Sequence, residues 1–576
     1  MENKTSSDKK LFYTETNKLI MNQVIKKIIG YLHSRKYILL FSLGYFLIKL
    51  IKLDSYFFLR DERDLILSAL SLAQTGKDLY GNAFPLIFTR ISPQTPLLGM
   101  YWAVPIVYFF HITSPILVKS IFILPTLFFP ILIYELFMSI TKEKKLSLVG
   151  ACIVSFSPWY FHTSRLVMDS QLAYFLCLIG LICYIYKRKV MGLFFLMFSY
   201  FSYFGIRPFI LVIIPYIEVW SFILSTKRKW KQTVFSLTIF ILLFGCIFAF
   251  GSRIENTTSR SNAEILLLNK EKLTQDTNFF RAVSDAPFVA QKFFDNKATI
   301  ILQSISYNFF KGIDFSYLFF TGDYLAIYSN QVTGQYFPFL IVFIILGICY
   351  IAKKKNRNYY FLAGFSLIGL VSSLINSYSI TFSIRAAFSL VGIGFICALG
   401  IIYSCELLKK RGMIIFVLVT MFFYSIFTTF FIYKYFFQSY KMTNELFNEK
   451  ERFIANFSKD NEVRTIFVPN IHSYFLSYLS TLPSLSPKIF NQIQKELNKP
   501  NGYVLDGHKF LQCNSEQISI APLDTFPVST LIEETCLSAK TKTYIELSKP
   551  KNIFKLLNPQ YNIGDINRGV KYYYFK

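Results

Sequence analysis

The sequence predicts an all-α polytopic membrane protein of about eleven transmembrane helices, closed by a small C-terminal α/β domain outside the membrane. Three observations carry this prediction. Of 576 residues, 53% are hydrophobic and 18% aromatic, with a mean hydropathy of +0.40, too apolar for a core that must be wrapped in polar surface. The formal charge of +27 gathers in short basic clusters between apolar runs: Lys142-Glu143-Lys144-Lys145, Lys187-Arg188-Lys189, Lys227-Arg228-Lys229-Trp230-Lys231, Lys353-Lys354-Lys355-Asn356-Arg357 and Lys409-Lys410-Arg411. That is the positive-inside pattern, and with no basic stripe interleaved with aromatics outside it, a nucleic-acid partner is not expected. From Tyr433 onward the long apolar runs stop.

Taken in order, residues 1–36 read as a cytoplasmic segment rich in lysine, with an amphipathic stretch at 19–32 lying on the membrane face. No small-residue cleavage site follows the first apolar run, 37–53, so that run is expected to be an uncleaved span leading outward. The exterior loop 54–115 follows. Its proline-interrupted stretch 96–112 is expected to dip into the outer leaflet, because a further crossing there would invert every later basic loop. Spans are then expected at 116–140, 146–161, 172–186, 190–206, 209–225 and 233–250. A second exterior loop, 251–335, precedes spans at 337–352, 359–375, 386–408 and 413–432. The transmembrane unit is thus 37–432, in a cell membrane, with 433–576 outside. There, Thr465-Ile466-Phe467-Val468 and Tyr503-Val504-Leu505 read as strands and 489–497 as a helix. Cys513 and Cys536 share this exterior region, which leaves a disulfide between them open; the other cysteines lie in or beside apolar runs.

The densest charge is the knot Arg60-Asp61-Glu62-Arg63-Asp64, just past the first span. Charge held beside hydrocarbon is costly and usually functional. On the same exterior side fall Arg165 and Asp169, Arg207, and Arg385, each close to a span end. Carboxylates facing arginines suit a phosphate-linked substrate: a guanidinium binds phosphate oxygens bidentately, and a carboxylate accepts the proton of an attacking hydroxyl. The structural alternatives are a solvated helix start for Asp61 to Asp64, headgroup anchoring for the arginines, and a pairing of Asp169 with Arg165 one helical turn earlier. The histidines are scattered without metal-ligand spacing, and no Walker A loop or dinucleotide fingerprint occurs. Gly392 and Gly394 fit close helix packing better than phosphate binding.

The knot, followed by Ala69-Leu70-Ser71-Leu72-Ala73-Gln74-Thr75-Gly76-Lys77-Asp78 and Pro85, resembles the first-loop signature of GT-C membrane glycosyltransferases, in the protein O-mannosyltransferase and aminoarabinose (lipid A) transferase branch. Ser157-Pro158-Trp159-Tyr160-Phe161-His162-Thr163-Ser164-Arg165 with Asp169 resembles that branch's second exterior loop. Phe319-Phe320-Thr321-Gly322-Asp323, then Gly334, Pro338 and Arg385, also fit, so the resemblance covers roughly 37–408. It implies transfer of a sugar from a polyprenyl-phosphate donor to an acceptor protein, lipid or glycan at the outer membrane face, usually with inversion. It further implies that Asp61 is the catalytic carboxylate, Glu62 a support for it or for the acceptor, and Asp169 the second acid. Arg165, Arg385 and Arg207 become candidates for the donor phosphate. A divalent cation, held in such a site by Asp61 and Asp169, is used by some relatives and not by others. Two other classes compete: a transporter or lipid flippase, whose charges would line a path through the membrane, and a scaffold whose exterior domain binds a partner.

Overall fold

Each apolar run beyond the leader is helical in the computed structural model. The structure describes residues 35–53, 59–85, 98–224, 230–254, 264–323, 325, 327–329, 332–377, 383–439, 449–499, 502–505, 507–513, 529–537, 553–557 and 571–575. The segment 1–34, with its expected amphipathic stretch, lies outside them. Helix α1 (Lys36–Leu50) leads to α2 (Arg60–Thr75), then to α3 (Leu98–Tyr101) and α4 (Val104–Phe109). Next come α5 (Pro115–Phe122), α6 (Phe129–Thr141), α7 (Lys144–Ser155), α8 (Pro158–Thr163), α9 (Asp169–Ile185), α10 (Lys189–Ser202), α11 (Arg207–Leu224) and α12 (Trp230–Ile254). An arm of three helices follows: α13 (Lys270–Val283), α14 (Phe288–Phe294) and α15 (Lys297–Gly312). The bundle resumes with α16 (Ile341–Lys354), α17 (Arg357–Ile368), α18 (Val371–Leu374), α19 (Ala387–Leu407) and α20 (Lys410–Lys434).

Among the described residues, Pro115–Thr141, Phe204–Ile223, Ala387–Leu407 and Lys410–Gln438 are long and apolar enough to cross a membrane; Leu98–Phe109, Asp169–Ile185, Lys189–Ser202 and Thr233–Gly245 are shorter apolar helices. Two runs differ from a simple span. The stretch 96–112 yields only the short α3 and α4 among its described residues. The run 146–161 breaks at Ser155, because Ser157, extended before Pro158, cannot continue a helix and Pro158 starts a new one. Basic residues close other helices: Lys142 and Lys355 are left-handed C-caps, where a cation also complements the helix dipole.

The bundle core is aromatic. Phe137, Tyr160, Phe161, Tyr336, Phe365 and Phe395 lie in one buried cluster, with Phe129 stacked 3.6 Å from Tyr160. Small residues bring backbones together. A Cβ on Gly392 would fall 2.3 Å from the Ser366 nitrogen, and one on Gly347 2.0 Å from the Ile396 carbonyl oxygen, so α19 packs directly on α17 and α16.

Beyond α20 come α21 (Glu449–Asp460), β1 (Thr465–Val468), α22 (Ile471–Thr481), α23 (Pro487–Glu496), β2 (Gly502–Leu505), β3 (His508–Gln512), β4 (Thr530–Glu533), β5 (Ile553–Leu557) and β6 (Lys571–Phe575). The strands form one mixed sheet in the order β2-β3-β1-β4-β6-β5, with β1 parallel to β3 and β4 and the other pairs antiparallel. Cys513, past β3, and Cys536, past β4, form a disulfide with Cα atoms 5.6 Å apart. The sheet's core does not stand alone. Ile66, Leu67 and Leu70 of α2 share one buried cluster with Phe475, Leu479, Phe490 and Phe510.

Candidate functional site

The knot is the first turn of α2, with Leu59 as its N-cap. Successive side chains on a helix point about 100° apart, so neighbours in sequence meet different surroundings. Asp61 is exposed at the positive end of the helix dipole. Glu62 is buried: Oε2 accepts the Leu59 N–H at 2.8 Å, Oε1 accepts the Val167 N–H at 2.5 Å, and Lys119 Nζ lies 3.5 Å away. Burial raises its pKa, opposed by Lys119 and by the two N–H donors. Glu62 therefore fastens α2 to α5 and to the loop before α9. Arg63 faces the sheet, its Nη1 donating to the Ser473 carbonyl at 3.0 Å and to Ser477 Oγ at 2.8 Å. Further along α2, Gln494 Nε2 reaches Ser71 Oγ, Thr75 Oγ1 and the Asp78 carbonyl at 3.0 to 3.2 Å.

Three other segments meet the open side of this turn around Tyr328. Burial pushes the Tyr328 phenol up to about 12; Arg385 opposes the shift, while Asp61, Asp169 and Asp323 all reinforce it. One phenol thus lies within electrostatic reach of Asp323, five residues earlier, of acids from two distant segments and of an arginine from a third. Asp61, Asp169 and Arg385 all act on it, and with them Asp323, which stands in a quoted sequence motif but carries no role assigned from sequence.

Asp169 is the first residue of α9 and half-buried. A Cβ on Gly99 would fall 3.1 Å from the Asp169 Cα, so α3 seats its backbone against this helix start. Asp323 is buried, its Oδ1 and Oδ2 accepting the Ser383 N–H at 3.0 and 3.1 Å and its Oδ2 also the Gln335 amide at 3.1 Å. Burial raises it to about 7 against those hydrogen bonds. Gly322 makes the turn before it, at φ 71°, where a Cβ would strike Ser329 Oγ. Because Ser383 stands two residues before Arg385, Asp323 fixes the segment that delivers the arginine. Arg385 Nη2 meets Glu264 Oε2 at 2.6 Å, and Tyr203 also hydrogen-bonds it.

The other two arginines sit differently. Arg165 is 1% exposed; its Nη2 donates to the Ile51 and Lys52 carbonyls at 2.9 and 3.1 Å, and its guanidinium lies 4.6 Å from the Phe436 ring and 5.2 Å from that of Tyr435. It closes the end of α1. Arg165 and Asp169 do not lie on one helix, because α8 ends before Arg165 and α9 begins only at Asp169. Arg207 opens α11, its Nε donating to the Tyr200 carbonyl at 3.1 Å and its guanidinium resting on Tyr200 and Phe204.

Glu264, Tyr328 and Lys119 were not singled out by sequence. Lys119 carried a signal, a cation inside an apolar run; Glu264 and Tyr328 carried none. Among the described residues no group of three or more His, Cys, Asp or Glu side chains is placed to hold a metal ion.

No family model and no curated protein matches the chain. Among solved structures it is similar to the archaeal oligosaccharyltransferase AglB from Archaeoglobus fulgidus in complex with an inhibitory peptide and a dolichol-phosphate. The identity is 11% and the TM-score 0.38, over 78% of this chain and 64% of that one. It is also similar to the Archaeoglobus fulgidus oligosaccharyltransferase tethered with an acceptor peptide, at 10% identity and TM-score 0.37, over 76% and 63%. The chain thus spans a little under two thirds of these proteins' length.

Proposed function

We propose that this protein is an integral membrane glycosyltransferase of the GT-C type. It moves a sugar from a polyprenyl-phosphate donor to an acceptor on the extracytoplasmic side of the cell membrane, with inversion at the anomeric carbon. The N-terminal segment and basic loops lie in the cytoplasm, about eleven spans cross the membrane, and the sheet lies outside. The observation that supports the reading is the meeting of Asp61, Asp169, Asp323 and Arg385 around Tyr328.

In this reading Asp61 takes the proton of the acceptor's hydroxyl or amide as that group attacks the anomeric carbon. The bond from that carbon to the phosphate oxygen breaks, and the lipid phosphate leaves with the electron pair. Base assistance of this kind contributes about 10²- to 10⁴-fold, and stabilising the departing phosphate is a comparable lever. Arg385, which acts on the same phenol as the three aspartates, takes the phosphate; Arg207, at the start of α11, adds a second cation. Arg165, also in that group by resemblance, acts through its hold on the end of α1. Glu62 positions Asp61 and does not touch substrate. Asp169, the second acid, orients the acceptor and, if a divalent cation is used, shares it with Asp61.

Purified protein incubated with labelled polyprenyl-phosphate sugars tests this. Release of label into a water-soluble or acceptor-bound form, lost in Asp61→Asn while the variant still folds, is the expected result. Full activity of Asp61→Asn removes Asp61 as the base, and absence of transfer with every donor removes the reading.

A further inference from the structure

The arm α13–α15 is a built element with an unsatisfied surface. Leu266, Leu273 and Ile300 form a small buried cluster that joins α13 to α15. At its root Asn308 Nδ2 donates to the Leu374 and Asn376 carbonyls, both at 3.1 Å, and a Cβ on Gly312 would come within 2.7 Å of Leu370. The arm therefore stands on α18, beside the bundle.

Its tip is held in shape by polar groups. Arg281 Nε donates to the Asp295 carbonyl at 2.8 Å, Gln291 Nε2 to the Ser284 and Ala286 carbonyls at 3.0 and 2.9 Å, and Asn296 caps α15. These bonds order the backbone and leave the apolar side chains outside. No residue of α14 is buried. Phe279, Val283, Phe288, Val289, Phe293 and Phe294 are each 61% to 79% exposed. An ordered apolar cluster of this size is unfavourable in water and marks a contact surface.

The geometry points to the outer leaflet of the bilayer holding this chain as what covers it, with α14 and the outer face of α15 seated at the boundary of headgroups and acyl chains. Leu302 and Phe310, 66% and 67% exposed, share one face of α15, so the apolar surface runs from the tip toward the bundle. A protein docked at the tip would need no such stripe. Lys292 lays its stem on Phe288, Nζ 4.3 Å from the ring centroid, and Lys311 does the same on Tyr307 at 5.7 Å, the posture of lysines that reach past a buried ring to headgroups. Aromatic side chains with basic neighbours are the usual composition of a membrane–water boundary. The contact needs no assumption about chemistry at Tyr328.

The test uses full-length protein in vesicles of phosphatidylcholine and phosphatidylglycerol. Phe293→Trp is compared with the unsubstituted protein and with Lys459→Trp on α21, using phosphatidylcholine brominated at shallow acyl positions. The emission added by Phe293→Trp should be blue-shifted and quenched roughly twofold or more, that of Lys459→Trp neither. Red, unquenched emission overturns the proposal, as does blue emission without quenching, which means protein covers the tip. Val289→Trp, at another exposed position, repeats the measurement if the first variant does not fold.

Discussion

The two ends of the bundle hold charge in opposite ways. At the end carrying the basic loops, acids are latched in compact pairs. Arg35 bonds Glu135, Lys189 meets Glu218 at 2.7 Å, Tyr359 donates to Glu143 at 2.5 Å, and Glu406 takes both Tyr350 at 2.6 Å and Lys354 at 3.3 Å. At the other end three aspartates act on Tyr328 against one arginine, and that arginine already meets Glu264. Latches hold helices together. A partly buried group whose titration is shifted by several charges at once is a candidate for chemistry.

The largest effect that would break this contrast is on turnover. Asp61→Asn should lower transfer by about 10²- to 10⁴-fold with the thermal transition unchanged. Glu135→Gln, at the latched end, should leave the rate per folded molecule near that of the unsubstituted protein, measured with labelled donor. Equal losses in both variants would erase the distinction.

Next comes stability. Glu62→Ala removes the buried acid beside Lys119 and the acceptor of two buried N–H groups, and should destabilise the protein by about 3–5 kcal/mol, read from denaturation in detergent. Its companion Asp61→Asn should not.

Asp323 gives a pH signature. Its folded pKa, about 7, lies above the ordinary carboxyl value of 3.8, so the fold favours the protonated form. Its contribution is therefore full at acid pH and is lost as pH rises through about 7. Asp323→Asn should flatten the stability profile across that window, and a profile unchanged by the substitution would remove Asp323 as its cause. Lys354→Ala should do least. Both partners of that pair are close to half exposed, and the cost should stay within about 1 kcal/mol by the same denaturation.

Periodicity and charge made the helical runs legible, along with the grouping of Asp61, Asp169 and Arg385 near helix ends. What they could not carry was the division of labour inside the knot. Asp61, Glu62 and Arg63 read as one cluster, and only partners far along the chain, Val167 for Glu62 and Ser473 for Arg63, separate a solvent-exposed carboxylate from two buried anchors. Arg165 shows the same limit: its charge suggested a ligand, and no local pattern announces its hydrogen bonds to the carbonyls of Ile51 and Lys52. The sheet order, in which β3 lies between β2 and β1, depends on pairings that no local pattern encodes.

Arg63 and Gln494 tie α2 to a part of the chain more than 400 positions later. Translation is vectorial, so α2 leaves the ribosome long before α22 and α23 exist to cover it. Its apolar face waits through the insertion of the whole bundle. The packing around α2 is completed only after α23 has been made, which makes α2 the surface that a chaperone would have to guard in the growing chain.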